Sequence, residues 1–337
     1  MNKIKPFYFN IFLLTIIFSN IIWPNNNCLT NNRFKSCWKE MQDYYAKIAY
    51  LSKSLEKDGF VTQQYNKNNL KLVKAIIEAE PNEKLLTTTW LSNVMVRSGR
   101  PISCNYEECF LKNCLDQKTA DKIKNFANGT SDGDKFFLPI TSKQFNCSTS
   151  TLGHLFYVGK LYSWMDKEPE FIVEFGGGYG NLARCFKSIS PNTTIVIIDL
   201  PEMCAIQSMF LKYTLPHTDI ITHTKVAEQI KAGSIHLIPV SFIDSLDYLK
   251  CDAFISTFAI SEAPEKIQKK IIQLKFFQAD AIYLAGQIDG WSKLGIKDWA
   301  HHNVLVESIK NNYQQTYCVP FHIYNKKYES YELLAKS

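Results

Sequence analysis

At 337 residues and 46% hydrophobic content, the chain can bury a full α/β core and still carry about 120 residues of additional structure. Its formal charge of +6 is mild and spread along the chain, without the basic block or aromatic-interleaved arginine cluster that nucleic acid demands, so nucleic acid is not an expected partner. No internal repeat or low-complexity segment breaks the chain into modules. In chain order, Lys3 and Lys5 precede a mostly apolar run from Phe7 to Trp23, interrupted by Asn10, Ser19 and Asn20. That is the shape of a secretory n-region and h-region. No small-x-small cleavage site follows, and the run is near the short limit for a spanning helix. Residues 1–30 are therefore a signal-like or membrane-anchor segment, with a cleaved signal, an uncleaved anchor and a buried helix all open, and membrane attachment is an expectation of this segment alone.

Residues 31–150 read as a helical auxiliary region. Cys37 to Leu55 and Leu70 to Ala79 have helical periodicity, Pro81 ends the second, and Gly99-Arg100-Pro101 marks a turn. The chain has ten cysteines, and Cys104, Cys109 and Cys114 recur at a spacing that fits only the loose end of zinc pairing, with Cys147 further on and no paired histidines beside them. A metal cluster, disulfides and free thiols are the alternatives there, and no metal ligand set is assigned. Cys185, Cys204 and Cys251 fall on expected core elements as small buried hydrophobes. Thr151 to Trp164 reads as a helix that places His154, Tyr157 and Lys160 near one another.

The stretch from Phe171 to Leu200, FIVEFGGGYGNLARCFKSISPNTTIVIIDL, reads as strand, glycine turn, helix, strand. Phe171, Ile172 and Val173 suit a buried parallel strand, and Gly176, Gly178 and Gly180 let the backbone turn sharply and lie against a ligand. Asn181 to Ile189 carries Leu182, Ala183, Phe186 and Ile189 on one helical face, Pro191 stops it, and Ile195 to Ile198 begins a second buried strand. A dinucleotide fingerprint counted from Gly176 would need glycine where Asn181 stands, so the pyrophosphate pattern is broken. Glu174, at the mouth of the first strand, would also repel a pyrophosphate but suits a ligand bearing sulfonium and ammonium groups. Asp199 lies about twenty residues past the glycines, where a carboxylate can accept from both ribose hydroxyls. These features describe S-adenosylmethionine.

The pattern E-x-G-x-G-x-G from Glu174 to Gly180, followed by the acid Asp199, resembles that of class I S-adenosylmethionine-dependent methyltransferases. Ile198-Asp199-Leu200-Pro201 is similar to the I-D-L-P segment of small-molecule O-methyltransferases, and the two segments together look closest to bacterial sugar O-methyltransferases. The resemblance covers residues 145 to 337, strongly over 170 to 205. It implies a Rossmann-like doubly wound sheet over 151–337, preceded by the helical auxiliary region. It also implies S-adenosylmethionine as cofactor, held by Glu174, Gly176, Gly178, Gly180, Asp199 and Leu200, with Ser241 where an adenine contact is expected. The acceptor it implies is a hydroxyl of a sugar, glycan or other small molecule. This donor is made in the cytosol, which sits in tension with an exported catalytic domain.

The remaining elements alternate as such a sheet requires. Ile235 to Val240, Ala253 to Phe258 and Ala281 to Ala285 read as strands and Ile267 to Phe277 as a helix. Glu307 to Tyr313, then Tyr317 to Tyr324 and Ser330 to Ala335, close the sheet with an antiparallel end. A sugar hydroxyl is a weak acid and needs a positioned base. Ser261-Glu262 stands where small-molecule O-methyltransferases have a His-Asp pair, a departure that puts the histidine mechanism in doubt. Glu262 is then a candidate base, or with Ser261 a cap for the helix opened by Ala263-Pro264-Glu265. His154 and the pair His301-His302, which follows Asp289, Trp291 and Trp299, are its rivals. Two other readings stay open: a cofactor-binding protein without catalysis, and a nicotinamide oxidoreductase that tolerates Asn181.

Overall fold

The computed structural model describes residues 32–57, 65–81, 110–128, 145, 147–165, 167–226, 229–287, 302–320 and 330–337. The apolar run at 7–23, Cys104, Cys109, Asp289, Trp291, Trp299 and His301 lie outside them. Among the described residues, no helix is long and apolar enough to cross a membrane.

The elements are α1 (Asn32–Lys57), α2 (Tyr65–Glu78), α3 (Gln117–Asn128), α4 (Thr149–Met165), β1 (Phe171–Phe175), α5 (Asn181–Ile189) and β2 (Thr194–Asp199). They continue with α6 (Pro201–Thr214), β3 (Ile220–Thr222), β4 (Ile235–Pro239), β5 (Ala253–Thr257), α7 (Ala259–Glu262) and α8 (Glu265–Gln273). The last are β6 (Ala281–Gln287), α9 (His302–Asn312), β7 (Gln315–Pro320) and β8 (Ser330–Lys336). The eight strands form one sheet in the order β3-β4-β2-β1-β5-β6-β8-β7. Neighbours from β3 to β6 are parallel, whereas β8 runs antiparallel to both β6 and β7. This is the Rossmann-like doubly wound sheet with an antiparallel end that the sequence predicts.

Strand composition follows from burial on both faces. Ile172, Ile195, Ile197 and Ile255 join the core with α1, α4, α5 and α6, while Val173, Val196, Ile198 and Phe254 point into a second core with α8 and α9. Near-continuous apolar strands result, as parallel sheets require. Chain order reverses at β1, which lies between β2 and β5, so the topological switch falls between β1 and β5.

One predicted helix stops short. The helix predicted over Ile267 to Phe277 ends at Gln273, and the backbone turns through positive φ from Lys275 to Gln278. That turn buries both Phe276 and Phe277 against Phe254, at ring separations of 5.5 and 5.9 Å, which one regular helical face could not do.

The N-terminal helices are part of the same compact unit, Arg33–Ser337. Trp38 and Gln42 of α1 donate to carbonyls at the end of α2, at 3.0 and 2.8 Å for Ala79 and Ile77 respectively. The pair is fastened to α6: Arg33 donates to the Lys212 carbonyl (2.8 Å), Lys212 pairs with Glu40 (2.7 Å), and Glu202 meets both Tyr45 and Lys74 at 3.4 Å.

Candidate functional site

The carboxyl ends of β1, β2, β4 and β5 bring together Glu174, the glycine turn, Asp199, Leu200, Ser241 and α7. At the end of β1, Gly176, Gly178 and Gly180 have φ of +77°, +56° and +98°, conformations that favour glycine. The turn is closed by Gly180 N–H donating to the Gly177 carbonyl (2.8 Å) and fastened to β2 by Gly176 N–H donating to Ile198 (2.9 Å). It is also crowded. A Cβ on Gly176 would sit 1.9 Å from Ala259 Cβ, which sets α7 directly against the turn at the switch point.

Gly177 was not singled out by the sequence reading, yet a Cβ there would lie 2.6 Å from Ile197 Cγ2, 3.3 Å from Gln207 Nε2 and 3.4 Å from Glu174 Cδ. Its requirement is close approach rather than positive φ. Only the run of adjacent glycines hints at it.

Glu174 is 2% exposed, and its Oε2 has no hydrogen-bond partner among the described residues. Burial, reinforced by the nearby Asp199 charge, pushes its carboxyl up to about 8. Asp199 accepts from Leu200 N–H at Oδ1 (2.8 Å) and from Gln207 Nε2 at Oδ2 (2.7 Å). Desolvation nevertheless raises it to about 7, outweighing these hydrogen bonds. Leu200 thus enters the site through its backbone and as the extended N-cap of α6. Ser241 follows β4, two residues beyond Pro239, which is paired with Asp199 across the sheet. Its Oγ is buried without a partner among the described residues, as is Oε1 of Gln287 at the end of β6.

Asn181, where a dinucleotide site would carry its third glycine, is fully buried and holds a polar network together. Its Oδ1 accepts from Arg184 Nε (2.7 Å), which fixes the amide so that Nδ2 donates to Thr151 Oγ1 (3.2 Å) and His154 Nδ1 (2.8 Å). His154 therefore presents Nδ1 as an acceptor. Burial, and secondarily the Arg184 charge, lower its pKa to about 3, so it is neutral throughout the physiological range. Tyr179 of the glycine turn is tied to α4 through Ser150 (3.0 Å). Of the trio expected on α4, His154 and Tyr157 have ring centroids 6.2 Å apart. Lys160 instead pairs with Glu332 of β8 at 3.2 Å, and Glu332 also accepts from Tyr283.

Glu262 is the last residue of α7 and half-buried. The N-cap of α8 is Pro264, two residues later, so neither Glu262 nor Ser261 occupies the expected capping position. Ser261 Oγ donates to the Phe258 carbonyl (2.8 Å) and accepts from Gln287 N–H (3.2 Å), joining α7 to the end of β6. Ser256, which the sequence reading missed, donates to the Phe175 carbonyl (2.8 Å) and accepts from Ile260 N–H (3.1 Å), joining β1, β5 and α7. His302 opens α9, and its side chain lies outside the described residues. Cys185, Cys204 and Cys251 are buried as expected; Cys114 is exposed and Cys147 buried. No group of three or more potential metal ligands occurs among the described residues.

No family model matches the chain, and no curated protein does. Among solved structures it is similar to the N-methyltransferase NodS from Bradyrhizobium japonicum, at 9% identity over 55% of this chain and 94% of that one, with a TM-score of 0.40. A SAM-dependent methyltransferase from Archaeoglobus fulgidus gives 9% identity over 50% and 86%, with a TM-score of 0.34. PigF with SAH gives 11% identity over 56% and 59%, with a TM-score of 0.35. At these values the comparisons identify no family.

Proposed function

We propose that the chain is an S-adenosylmethionine-dependent O-methyltransferase acting on a hydroxyl of a sugar, glycan or other small molecule. The observation that carries the cofactor assignment is the buried Glu174 carboxyl, whose Oε2 has no partner among the described residues, beside Asp199 across a glycine turn. Neither acid, protonated or ionised, can neutralise a pyrophosphate, and Asn181 is committed to its own network, whereas an ammonium would pair with Glu174 and favour its ionised form. Glu174 would hold that ammonium, the remaining lone pairs on Asp199 would accept the ribose hydroxyls, and Ser241 Oγ would meet the adenine. When bound, the cofactor supplies a methyl group on a cationic sulfur.

What the chain must add is alignment of the acceptor oxygen and removal of its proton. Glu262 is our choice of base, because Ala259 of the same helix packs on the glycine turn. His154 is less suited: its Nδ1 already accepts from Asn181, and a group of such low basicity captures a hydroxyl proton poorly. The sugar acceptor rests on the sequence resemblance alone.

The test is calorimetry with S-adenosylhomocysteine on the purified protein. It should bind, and Asp199→Ala should weaken binding by roughly 1.5–3 kcal/mol, as for loss of a charge-assisted hydrogen bond. Binding of NADH in place of S-adenosylhomocysteine would reject the reading.

A further inference from the structure

Gln207 is a fully buried glutamine in the middle of α6, and an amide withdrawn from water is costly unless it is bonded. Its Nε2 donates to two oxygens from different strand ends: the Gly178 carbonyl of the glycine turn (2.8 Å) and Asp199 Oδ2 at the end of β2 (2.7 Å). The Gly178 carbonyl can only accept, so the orientation of the amide is fixed by chemistry. The same nitrogen lies within 3.3 Å of the point where a Gly177 Cβ would stand, and Glu174 Cδ within 3.4 Å of that point. Gln207 thus stands where both acids and the turn converge, and its own Oε1 has no partner among the described residues.

We propose that Gln207 is a positioning residue for the cofactor: its amide ties the Asp199 carboxylate to the glycine turn, so that the two strand ends form one preorganised receptor. The inference rests on the proposed cofactor. One amide nitrogen, with its two N–H groups on two acceptors, restricts the rotamer of Asp199 and the conformation of the turn together, and it favours the ionised acid, the better acceptor for ribose hydroxyls. The sequence alone gives no sign of this, because nothing in it shows which atoms Gln207 meets once α6 lies against β2 and the glycine turn.

The experiment measures S-adenosylhomocysteine affinity by calorimetry across pH for the full chain, Gln207→Leu, Gln207→Glu, Asp199→Ala and the double variant Gln207→Leu/Asp199→Ala. Gln207→Leu should lose about 10- to 100-fold in affinity, and its affinity should rise with pH at a higher midpoint than in the unaltered protein, since Asp199 has lost a donor. Below that midpoint, in the Gln207→Leu background, Asp199→Ala should cost no more than about threefold further, because the two act as a unit.

Gln207→Glu supplies a decision even if the leucine variant does not fold. A carboxyl there donates only while protonated, so affinity should fall as pH rises and that carboxyl ionises, the reverse of the unaltered protein. Affinity within about twofold for Gln207→Leu with an unchanged midpoint, or losses that multiply in the double variant, would overturn the inference. An unaltered protein that binds no S-adenosylhomocysteine would overturn the cofactor reading as well, so the two failures are distinguishable.

Discussion

Glu174 and Asp199 hold their protons more tightly in the folded chain than ordinary carboxyls do, at about 8 and about 7. Unfolded, they would titrate near 4. Between those limits the native state binds more protons than the unfolded state, so this contribution to stability is complete at low pH and is lost as pH rises through 7 to 8. His154, lowered to about 3, acts in the opposite sense and favours the folded state as pH rises through the ordinary histidine range. The carboxyl effect is therefore read by difference: Glu174→Gln should melt higher than the unaltered protein at pH 8, and the gap should close toward pH 5. A gap that does not depend on pH would contradict the assignment of a buried, titrating Glu174. At this scale the sequence showed the two acids and three of the glycines, because each is dictated by local backbone geometry or by its place at a strand end. It did not show Gly177, Gln207 or Ser256, whose roles depend on atoms brought close only when β1, β2 and β5 are laid side by side.

At the scale of elements, α7 is a short helix held on several sides. Ser256 binds its Ile260 N–H, Ser261 ties it to β6, and Ala259 rests on Gly176. Phe258, which precedes it, has φ of +70°, an uncommon conformation for a bulky residue that the surrounding bonds enforce. Such a mounting suits a residue that must be placed with accuracy. If Glu262 is the base, Glu262→Gln should preserve S-adenosylhomocysteine affinity while turnover on a hydroxyl acceptor falls on the order of 10²- to 10⁴-fold. Turnover close to that of the unaltered enzyme would remove Glu262 from the reaction, and an inactive His302→Ala variant beside it would move the role to that histidine. Strand positions were readable from runs such as Ile195–Ile198, since burial on both faces leaves little else possible. The helix from Pro201 to Thr214 was passed over, for nearly all of it is buried and its apolar residues form no single stripe. Its proline at the first turn, followed by Glu202, was the available signal.

Over the whole molecule, α1 and α2 share their core with the sheet domain. Trp38, Met41 and Ile48 are fully buried in the cluster that also contains Cys204, Met209 and Leu237. Glu202, in the first turn of the helix that follows Asp199, is held by Tyr45 of α1 and Lys74 of α2. A chain lacking residues 1–144 would uncover this face, and it should show strong binding of a hydrophobic dye and no cooperative melting transition. A cooperative transition with unchanged S-adenosylhomocysteine affinity would show that the sheet stands alone. The same contacts also impose an order in time. The apolar side of α1 leaves the ribosome first, yet its partners on α6 and β4 lie some 150 to 200 residues further along. At about 5–20 residues per second, that surface waits roughly ten seconds or more for its cover. Until α6 and β4 emerge, that part of the surface is expected to need a temporary cover such as a holding chaperone.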